Sequence, residues 1–277
     1  MPRTVAITGA TDGLGRALAL DLAAEDDVRL VLHGRSAERL EDLSAEVAQR
    51  AAHPPLTVQA DLADLAQVAR AADEIAERAG ELHVLVNNAG IGSGEPDGRV
   101  RRTSVDGYEL RFAVNYLATF LLTEKLLPLL RASGDERAAR VVHVASGAQH
   151  PLDFDDLMLE RSYDGGRAYA QSKLAQILHA VDLAERLPTD EVTANALHPG
   201  TYMPTKIVLS EIGRSVDSLE SGVAATRRLA VGDDVEGVTG RFFDRQREAG
   251  LHAQAGDPEA RATLRARSLE LVGGLLS

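Results

Sequence analysis

Residues 4–15 read TVAITGATDGLG, and this stretch decides the fold. Its first five residues are a short β-type run, a glycine-rich turn follows, and the alanine- and leucine-rich residues 16–25 predict a helix. A strand, a glycine turn and a helix in this order bring free backbone N–H groups and the positive end of a helix dipole against a pyrophosphate. The turn residues that we assign to dinucleotide binding are Gly9, Thr11, Asp12, Gly13, Leu14 and Gly15.

Strand-like and helical patterns alternate along the rest of the chain. Strands are predicted at residues 28–33, 56–60, 82–86, 140–145, 192–197 and 240–243, with helices between them. This alternation predicts an α/β fold, a Rossmann-type doubly wound parallel sheet with helices on both faces. Because we find no internal repeat, linker or low-complexity tract, we predict a single domain over residues 1–277, with a substrate loop at about 201–220.

Polar residues and glycines lie where the predicted strands end, which is the edge at which such sheets bind ligands. Arg35 follows the second strand, where an acidic residue would hold the ribose hydroxyls of NAD and an arginine accommodates the 2′-phosphate of NADP. Because the residue before it is Gly34 rather than an acid, the sequence favours NADP(H) over NAD(H). The alternative is that Arg35 is a solvated loop charge. Further cofactor-binding candidates after strands three, four and six are Asp61, Leu62, Asn88, Ala89, Gly90, Pro199 and Gly200.

Composition limits the partners and the compartment. The formal net charge is −12, which disfavours nucleic acid and anionic lipid because both need basic patches. No apolar run approaches the ~20 residues that span a bilayer, and the N-terminus runs straight into the first strand, so we expect neither a membrane span nor a signal peptide. The chain has no cysteine, which removes disulfides and cysteine-ligated zinc and suits a cytoplasmic protein. The acidic residues of 153–156 are interpreted as solvated loop charges, so no metal site is predicted.

Residues 169–173, YAQSK, open another predicted helix and carry the candidate chemistry. Tyr169 and Lys173 are four residues apart and share a helix face, with Cβ atoms roughly 5–6 Å apart. A free tyrosine has a pKa of about 10, and a lysine ammonium one turn away lowers that pKa by favouring the phenolate. A tyrosine tuned in this way is a general acid–base. Taken alone, the pair favours an incidental tyrosine and a surface lysine, because short motifs often match by chance, and the rest of the chain reverses this.

Together, these motifs resemble the short-chain dehydrogenase/reductase family over nearly the whole chain. The resemblance rests on the glycine turn, on Asn87-Asn88-Ala89-Gly90, on Asn115 within a predicted helix over residues 104–131, on Ser146 after the fifth strand, on Tyr169 with Lys173, and on Pro199-Gly200. Residues 105–109, the long gap between Ser146 and Tyr169, and residues 240–243 are similar to the retinol-dehydrogenase-like branch of that family.

The resemblance implies a role for each catalytic candidate. Tyr169 would pass a proton to or from the substrate oxygen, and Lys173 would lower the tyrosine pKa and hold the nicotinamide ribose. Ser146 would hydrogen-bond the substrate carbonyl, and Asn115 would hold a water of the proton relay. The implied function is NADP(H)-dependent interconversion of an alcohol and a ketone or aldehyde by hydride transfer. Two alternatives stay open: reduction of an activated C=C bond, and a non-catalytic cofactor-sensing protein on the same fold.

Two positions depart from the family's pattern. Asp12 stands where NADP-preferring members often carry a basic residue, and Pro204, followed by Thr205, stands where a threonine commonly follows Pro-Gly by four residues. These departures put the contacts with the 2′-phosphate and with the nicotinamide carboxamide in question.

The predicted substrate pocket is mostly apolar, as ligand pockets usually are. Its candidate lining residues are Ile91, Leu152, Phe154, Tyr202, Met203 and Ile207. Because Lys206 and Arg214 are isolated cations, we expect a largely uncharged carbonyl compound or alcohol as the small-molecule substrate. The resemblance also implies a homo-oligomer that pairs through the predicted helices over residues 104–131 and 167–187.

Overall fold

The computed structural model describes residues 2–94, 98–134, 137–204 and 213–276. The strands are β1 Arg3–Ile7, β2 Val28–Gly34, β3 Leu56–Gln59, β4 Val84–Asn87, β5 Ala139–Val144, β6 Val192–His198, β7 Phe242–Asp244 and β8 Arg247–Ala249. Within the described residues they form one eight-stranded sheet in the order β3-β2-β1-β4-β5-β6-β7-β8, parallel except for the β7–β8 pair. The predicted α/β fold with a Rossmann-type parallel sheet is confirmed.

The helices cover both faces of this sheet. They are α1 Gly13–Leu22, α2 Ala37–Ala48, α3 Leu65–Ala79, α4 Ala118–Ala132, α5 Gly165–Arg186, α6 Leu219–Val231, α7 Ala253–Gly256 and α8 Pro258–Val272, with a π-helix, Phe112–Leu117, leading into α4. One buried apolar cluster joins α1, α2 and α6 to the sheet, and a second joins α3, α4, α5 and α8 to the opposite face. The inner strands are apolar toward both faces because both are packed against helices.

The strand order reverses between β1 and β4. The chain leaving β1 enters α1 on one face, and the chain leaving β4 reaches α4 on the other, so the two connections part at the carboxyl edge of the sheet. A crevice at such a switch point is where open α/β sheets bind ligands. The glycine turn after β1 and residues 88–91 after β4 form its two walls.

The prediction of a helix over residues 104–131 is wrong at its start. Residues 104–109 form a turn in which Thr103 bridges Glu109 and Gly107 has a φ of +85°, and helical structure begins near Leu110. A positive φ is accessible to glycine but interrupts a right-handed helix. Gly107 therefore stops the helical pattern that its neighbours would otherwise continue.

Helix α1 and strand β8 also differ from the sequence prediction. Helix α1 begins at Gly13 rather than residue 16, because the Asp12 side chain accepts a hydrogen bond from the Gly13 N–H and caps the helix. Strand β8 was not predicted, since its three residues, Arg247 to Ala249, lack the apolar character of a strand. It pairs with β7 at the edge of the sheet, where polar side chains face solvent.

Among the described residues, one helical stretch, Phe112–Ala132, is long and apolar enough by length and composition to cross a membrane. Seventy-eight per cent of its most apolar window is buried inside the protein, against α3, α5 and the sheet. A buried core helix passes the same test, so this finding is weak support for a membrane span.

Candidate active site

The glycine turn lies against the end of β4 with no room for side chains. A Cβ on Gly9, whose φ is +65°, would lie 2.9 Å from the Ala89 Cα, and a Cβ on Gly15 would lie 2.3 Å from the Gly9 oxygen. Asn88 fixes this approach by donating from Nδ2 to the Thr8 oxygen at 2.9 Å. The turn and the N-terminus of α1 thus present a bare backbone cradle suited to a pyrophosphate.

The buried His33 forms a hydrogen bond with the same glycine turn. The Gly9 N–H donates to His33 Nδ1 at 3.3 Å, and His33 Nε2 lies 3.2 Å from the Ala60 oxygen, to which it can only donate. These two contacts fix the neutral tautomer with the proton on Nε2. Burial lowers the pKa of His33 to about 4.

The end of β2 carries the predicted phosphate contact. The Arg35 side chain is exposed, and no carboxylate of the described residues forms an ion pair with it. Asp12 lies 3.2 Å from Arg39 Nη1 in an exposed ion pair. Arg39 therefore offsets the charge of Asp12, a pairing that sequence reasoning missed.

The remaining cofactor candidates lie at the same edge. Asp61 and Leu62 follow β3, where the Asp61 carboxylate accepts from the Ala63 N–H at 3.0 Å. Pro199 and Gly200 are buried after β6. Their contacts with a cofactor stay a prediction.

Asn115 lies in the π-helix, fully buried. Its Oδ1 accepts from the Ile91 N–H at 2.8 Å, and its Nδ2 donates to the Ile91 oxygen at 3.2 Å and to Ser172 Oγ at 2.9 Å. Asn115 thus joins the loop after β4 to helix α5. π-helical turns are frequent at functional sites, and the water-holding role of Asn115 stays a prediction.

Tyr169 and Lys173 share one face of α5, as their spacing predicts. Tyr169 is half-buried, and the Lys173 ammonium lies 5.8 Å from the centre of its ring. A Cβ placed on Gly90 would lie 3.3 Å from Lys173 Nζ and 3.1 Å from Asn115 Oδ1, so Gly90 is the point where the cradle meets the catalytic candidates.

Lys173 is not the permanently charged group that the sequence argument assumes. Its side chain is buried, and burial lowers its pKa to about 7. The amine can therefore lose its proton near neutral pH. Any lowering of the Tyr169 pKa by Lys173 depends on what keeps this amine protonated.

Ser146 follows β5 two residues after Val144, whose carbonyl oxygen accepts from Lys173 Nζ at 2.9 Å. Its Oγ accepts from the Ala148 N–H at 3.1 Å and keeps its own hydroxyl proton to donate. The end of β5, the π-helix and the first turns of α5 thus bring Ser146, Asn115, Tyr169 and Lys173 to one edge of the sheet.

Comparison with known proteins assigns the family. The family model described as short chain dehydrogenase matches residues 3–211. The chain belongs to the short chain dehydrogenase family. Human retinol dehydrogenase 13 is 33% identical over 98% of this chain and 85% of its own length, and mouse polyprenol dehydrogenase is 37% identical over 98% and 84%. The predicted family and its retinol-dehydrogenase-like branch are confirmed, and this family member is an NAD(P)-dependent oxidoreductase.

Solved short chain dehydrogenases have the same fold. The structure described as the Pseudomonas aeruginosa RhlG/NADP active-site complex is 26% identical, with a TM-score of 0.69 over 87% of this chain and 94% of that chain. A short chain dehydrogenase from Salmonella enterica is also 26% identical, with a TM-score of 0.70 over 89% and 96%.

Two of the predicted pocket residues belong to the core. Leu152 is 4% exposed and packs in the cluster beneath α5, while Met203 is 8% exposed and packs against Gly222 of α6. Ile91 is half-buried beside Asn115, Phe154 is half-buried against the core, and Tyr202 is exposed. Thr205, Lys206 and Ile207 lie outside the described residues.

Proposed function

We propose that this short chain dehydrogenase catalyses the NADP(H)-dependent interconversion of an alcohol and a ketone or aldehyde on a largely apolar small molecule, with Tyr169 as the acid–base. The placement of the Lys173 amine beside Gly90 and 5.8 Å from the centre of the Tyr169 ring, where the glycine cradle meets the catalytic candidates, carries this proposal.

The cradle fits a dinucleotide because glycine at positions 9 and 15 lets the turn pack closely against Asn88 and Ala89, and helix α1 begins directly at this turn with free backbone N–H groups. Those N–H groups would hold the pyrophosphate, Asp61 and Leu62 would flank the adenine end, and Asn88 to Gly90 with Pro199 and Gly200 would border the nicotinamide end. When bound, NADP(H) supplies the hydride that moves to or from the substrate carbon.

The chain's own residues handle the oxygen of the substrate. In the reducing direction Tyr169 gives its phenolic proton to the oxygen that gains negative charge, and in oxidation its phenolate takes that proton back. The Ser146 hydroxyl donates to the same oxygen and stabilises the charge that develops there. The Lys173 ammonium stabilises the phenolate of Tyr169.

The preference for NADP(H) rests on Arg35 at the end of β2, with Arg39 offsetting the Asp12 carboxylate. An arginine at this point suits a phosphate monoester. The solved relative RhlG, described as an NADP complex, supports the same choice.

An apolar substrate is supported by the half-buried Ile91, whose backbone hydrogen-bonds Asn115, and by two relatives that are named for apolar alcohols, retinol and polyprenol. We further propose a cytoplasmic location and a homo-oligomeric state, and we propose no nucleic-acid partner. These three proposals rest on the composition and the family resemblance described above.

The test is a screen of carbonyl compounds against NADPH consumption with identification of the product. We expect uncharged apolar ketones or aldehydes to be reduced to alcohols, with higher specificity constants than matched compounds that carry a carboxylate. Tyr169→Phe should lower kcat by about 100- to 10,000-fold, the usual contribution of a general acid, while retaining NADPH binding. Lys173→Ala should impair both.

Tyr108→Phe is the matched control, since Tyr108 is half-buried away from the site and donates to the Leu271 oxygen at 2.9 Å. Full activity in Tyr169→Phe would refute the acid–base role. Reduction of C=C bonds without alcohol formation would favour the enoyl-type reaction, and NADPH binding without turnover of any compound would favour a sensing protein.

A further inference from the structure

Helix α5 carries a buried polar side chain where its pattern calls for an apolar one. Residues 174–178 read LAQIL, and Gln176 is 0% exposed at the centre of this run. Buried glutamine is uncommon because its amide must find hydrogen-bond partners away from water. An apolar residue of similar size would avoid that cost.

The partner of Gln176 is the amine of Lys173. Gln176 Oε1 accepts from Lys173 Nζ at 2.9 Å, and the Val144 oxygen accepts from the same nitrogen at 2.9 Å. An ammonium has three N–H donors, so these two contacts hold the nitrogen in place and leave one donor for the side of Gly90 and Tyr169.

Packing alone does not explain a glutamine at this position, because the nitrogen of its side-chain amide is not satisfied. Its Nε2 is buried without a hydrogen-bond partner among the described residues. A buried unpaired donor destabilises the folded state. The contact with Lys173 is thus the feature that distinguishes Gln176 from an apolar residue of the same volume.

Among the side chains around Lys173, Gln176 provides the main hydrogen-bond acceptor for its amine. The titratable groups near it are Tyr169 and His179 on α5, His143 on β5, and Glu124 on α4 behind His179. Burial holds the pKa of His143 well below its usual value, so His143 is neutral. Glu124 is paired with Arg186, and among the described residues no carboxylate forms an ion pair with Lys173.

We propose that Gln176 is a positioning residue for Lys173: its amide oxygen fixes the amine beside Gly90 and Tyr169 and stabilises the protonated form. A carbonyl-type oxygen supplies partial negative charge without the full charge of a carboxylate. The ammonium is therefore retained in a buried place while its proton stays removable near neutral pH.

The direct test measures the charge of Lys173 without any catalytic assay. The chain contains only the lysines Lys125, Lys173 and Lys206, so the protein labelled with carbon-13 at lysine Cε gives three side-chain signals. Lys125→Arg and Lys206→Arg remove two of them and assign the third. In the cofactor-free protein, the Lys173 signal is expected to titrate near pH 7.

Gln176→Met keeps the volume and removes the acceptor, so the midpoint of the Lys173 titration should fall by about one to two pH units, the size of one hydrogen bond to a charged group. Gln176→Glu places a carboxylate at the same point and should raise the midpoint. Gln171→Met is the control: Gln171 is buried on the same helix but accepts from Arg167, and its variant should leave the midpoint unchanged.

An unchanged midpoint in Gln176→Met, or an equal shift in Gln171→Met, would overturn the proposal. The activity arm rests on the proposed function: the pH profile of kcat in Gln176→Met should move in the same direction as the titration, with KM for the carbonyl compound little changed. If the wild-type protein reduces no carbonyl compound, the proposed function fails while the titration still decides the role of Gln176.

Discussion

At the scale of single residues, the contacts of Asp12 bear on its departure from the pattern of NADP-preferring family members. The carboxylate that would repel a 2′-phosphate accepts from the first N–H of α1 and pairs with Arg39 at 3.2 Å. Both side chains are about half exposed, so water weakens the pair and leaves it able to rearrange. The local charge near Arg35 is therefore set by three residues together.

Arg35→Ala should weaken NADPH binding roughly 10-fold, because it removes a charge-assisted hydrogen bond to the 2′-phosphate, and should leave NADH binding nearly unchanged. Fluorescence titration of both cofactors measures this difference. Arg50→Ala is the control, since Arg50 is an exposed arginine just beyond the far end of α2 that pairs with Glu46. Equal losses for NADPH and NADH would contradict the phosphate role of Arg35.

A second residue-scale prediction concerns acid. The folded pKa of His33 is about 4, below its ordinary value of 6.5, so the unfolded chain binds more protons between these two pH values. The free energy of unfolding therefore rises with pH across this window and falls on acidification, by about 3 kcal/mol for His33 alone. Protonation would place an N–H against the Gly9 N–H and break the support of the glycine turn.

Urea unfolding of the wild type and His33→Gln between pH 4 and 7 measures this effect. The variant should lose part of the decline in stability toward pH 4, and the exposed His150→Gln should keep all of it. Parallel pH profiles for wild type and His33→Gln would show that His33 does not carry the effect.

At the scale of elements, a buried arginine joins two loops on the substrate side of the site. Arg111, 0% exposed, donates to the oxygens of Gly92 and Ser93 and to the Tyr163 hydroxyl, at 2.8, 2.7 and 2.5 Å. Glu109, also buried, lies 3.8 Å from Arg111 and accepts from the same hydroxyl. The loop after β4 and the segment before α5 are thus held together by one charged cluster.

Arg111→Met should lower the free energy of unfolding by about 3 kcal/mol, because it leaves the Glu109 carboxylate buried without its counter-charge. Glu109→Gln in the same chain should recover part of that loss, since the unpaired charge is then removed. Urea denaturation measures both, with the exposed Arg102→Met as control. A loss in Arg111→Met no larger than in Arg102→Met would contradict this account.

At the scale of the whole molecule, the C-terminal helix covers the face through which the sequence analysis predicted pairing of subunits. Helix α8 packs on α5 and on the π-helix: Ser268 Oγ lies 2.7 Å from the Tyr116 hydroxyl, and Arg261 pairs with Glu185. The face formed by residues 104–131 and 167–187 is therefore already partly covered by the same chain. The family model ends at residue 211, before this helix.

The homo-oligomer itself stays a prediction, and light scattering coupled to size exclusion tests it. We expect a mass above the 29.5 kDa of one chain. Arg265→Glu and Arg267→Glu each reverse a charge on the surface of α8. If the interface includes α8, these variants should lower the measured mass at a given concentration. A single 29.5 kDa species over a wide concentration range would contradict the prediction.

The sequence by itself determined the parallel sheet, the glycine cradle, the family and the spacing of Tyr169 and Lys173. These features follow from local rules: periodicity, glycine at a close turn, and residues four apart on one helix face. The start of the helix before Asn115 was mispredicted because one glycine with a positive φ interrupts an otherwise helical pattern.

Only the tertiary structure determined the protonation behaviour of Lys173 and the partners of the charged side chains. Lys173 reads as an ordinary ammonium in sequence, and only its burial lowers its pKa to about 7. The pairing of Asp12 with Arg39 and the cluster of Arg111 with Tyr163 join residues 27 and 52 positions apart. Gln176 left one signal, a polar residue in an apolar run, but its partner depends on how α5 packs against β5. Desolvation and long-range contacts depend on what surrounds a group in space, which local sequence patterns do not specify.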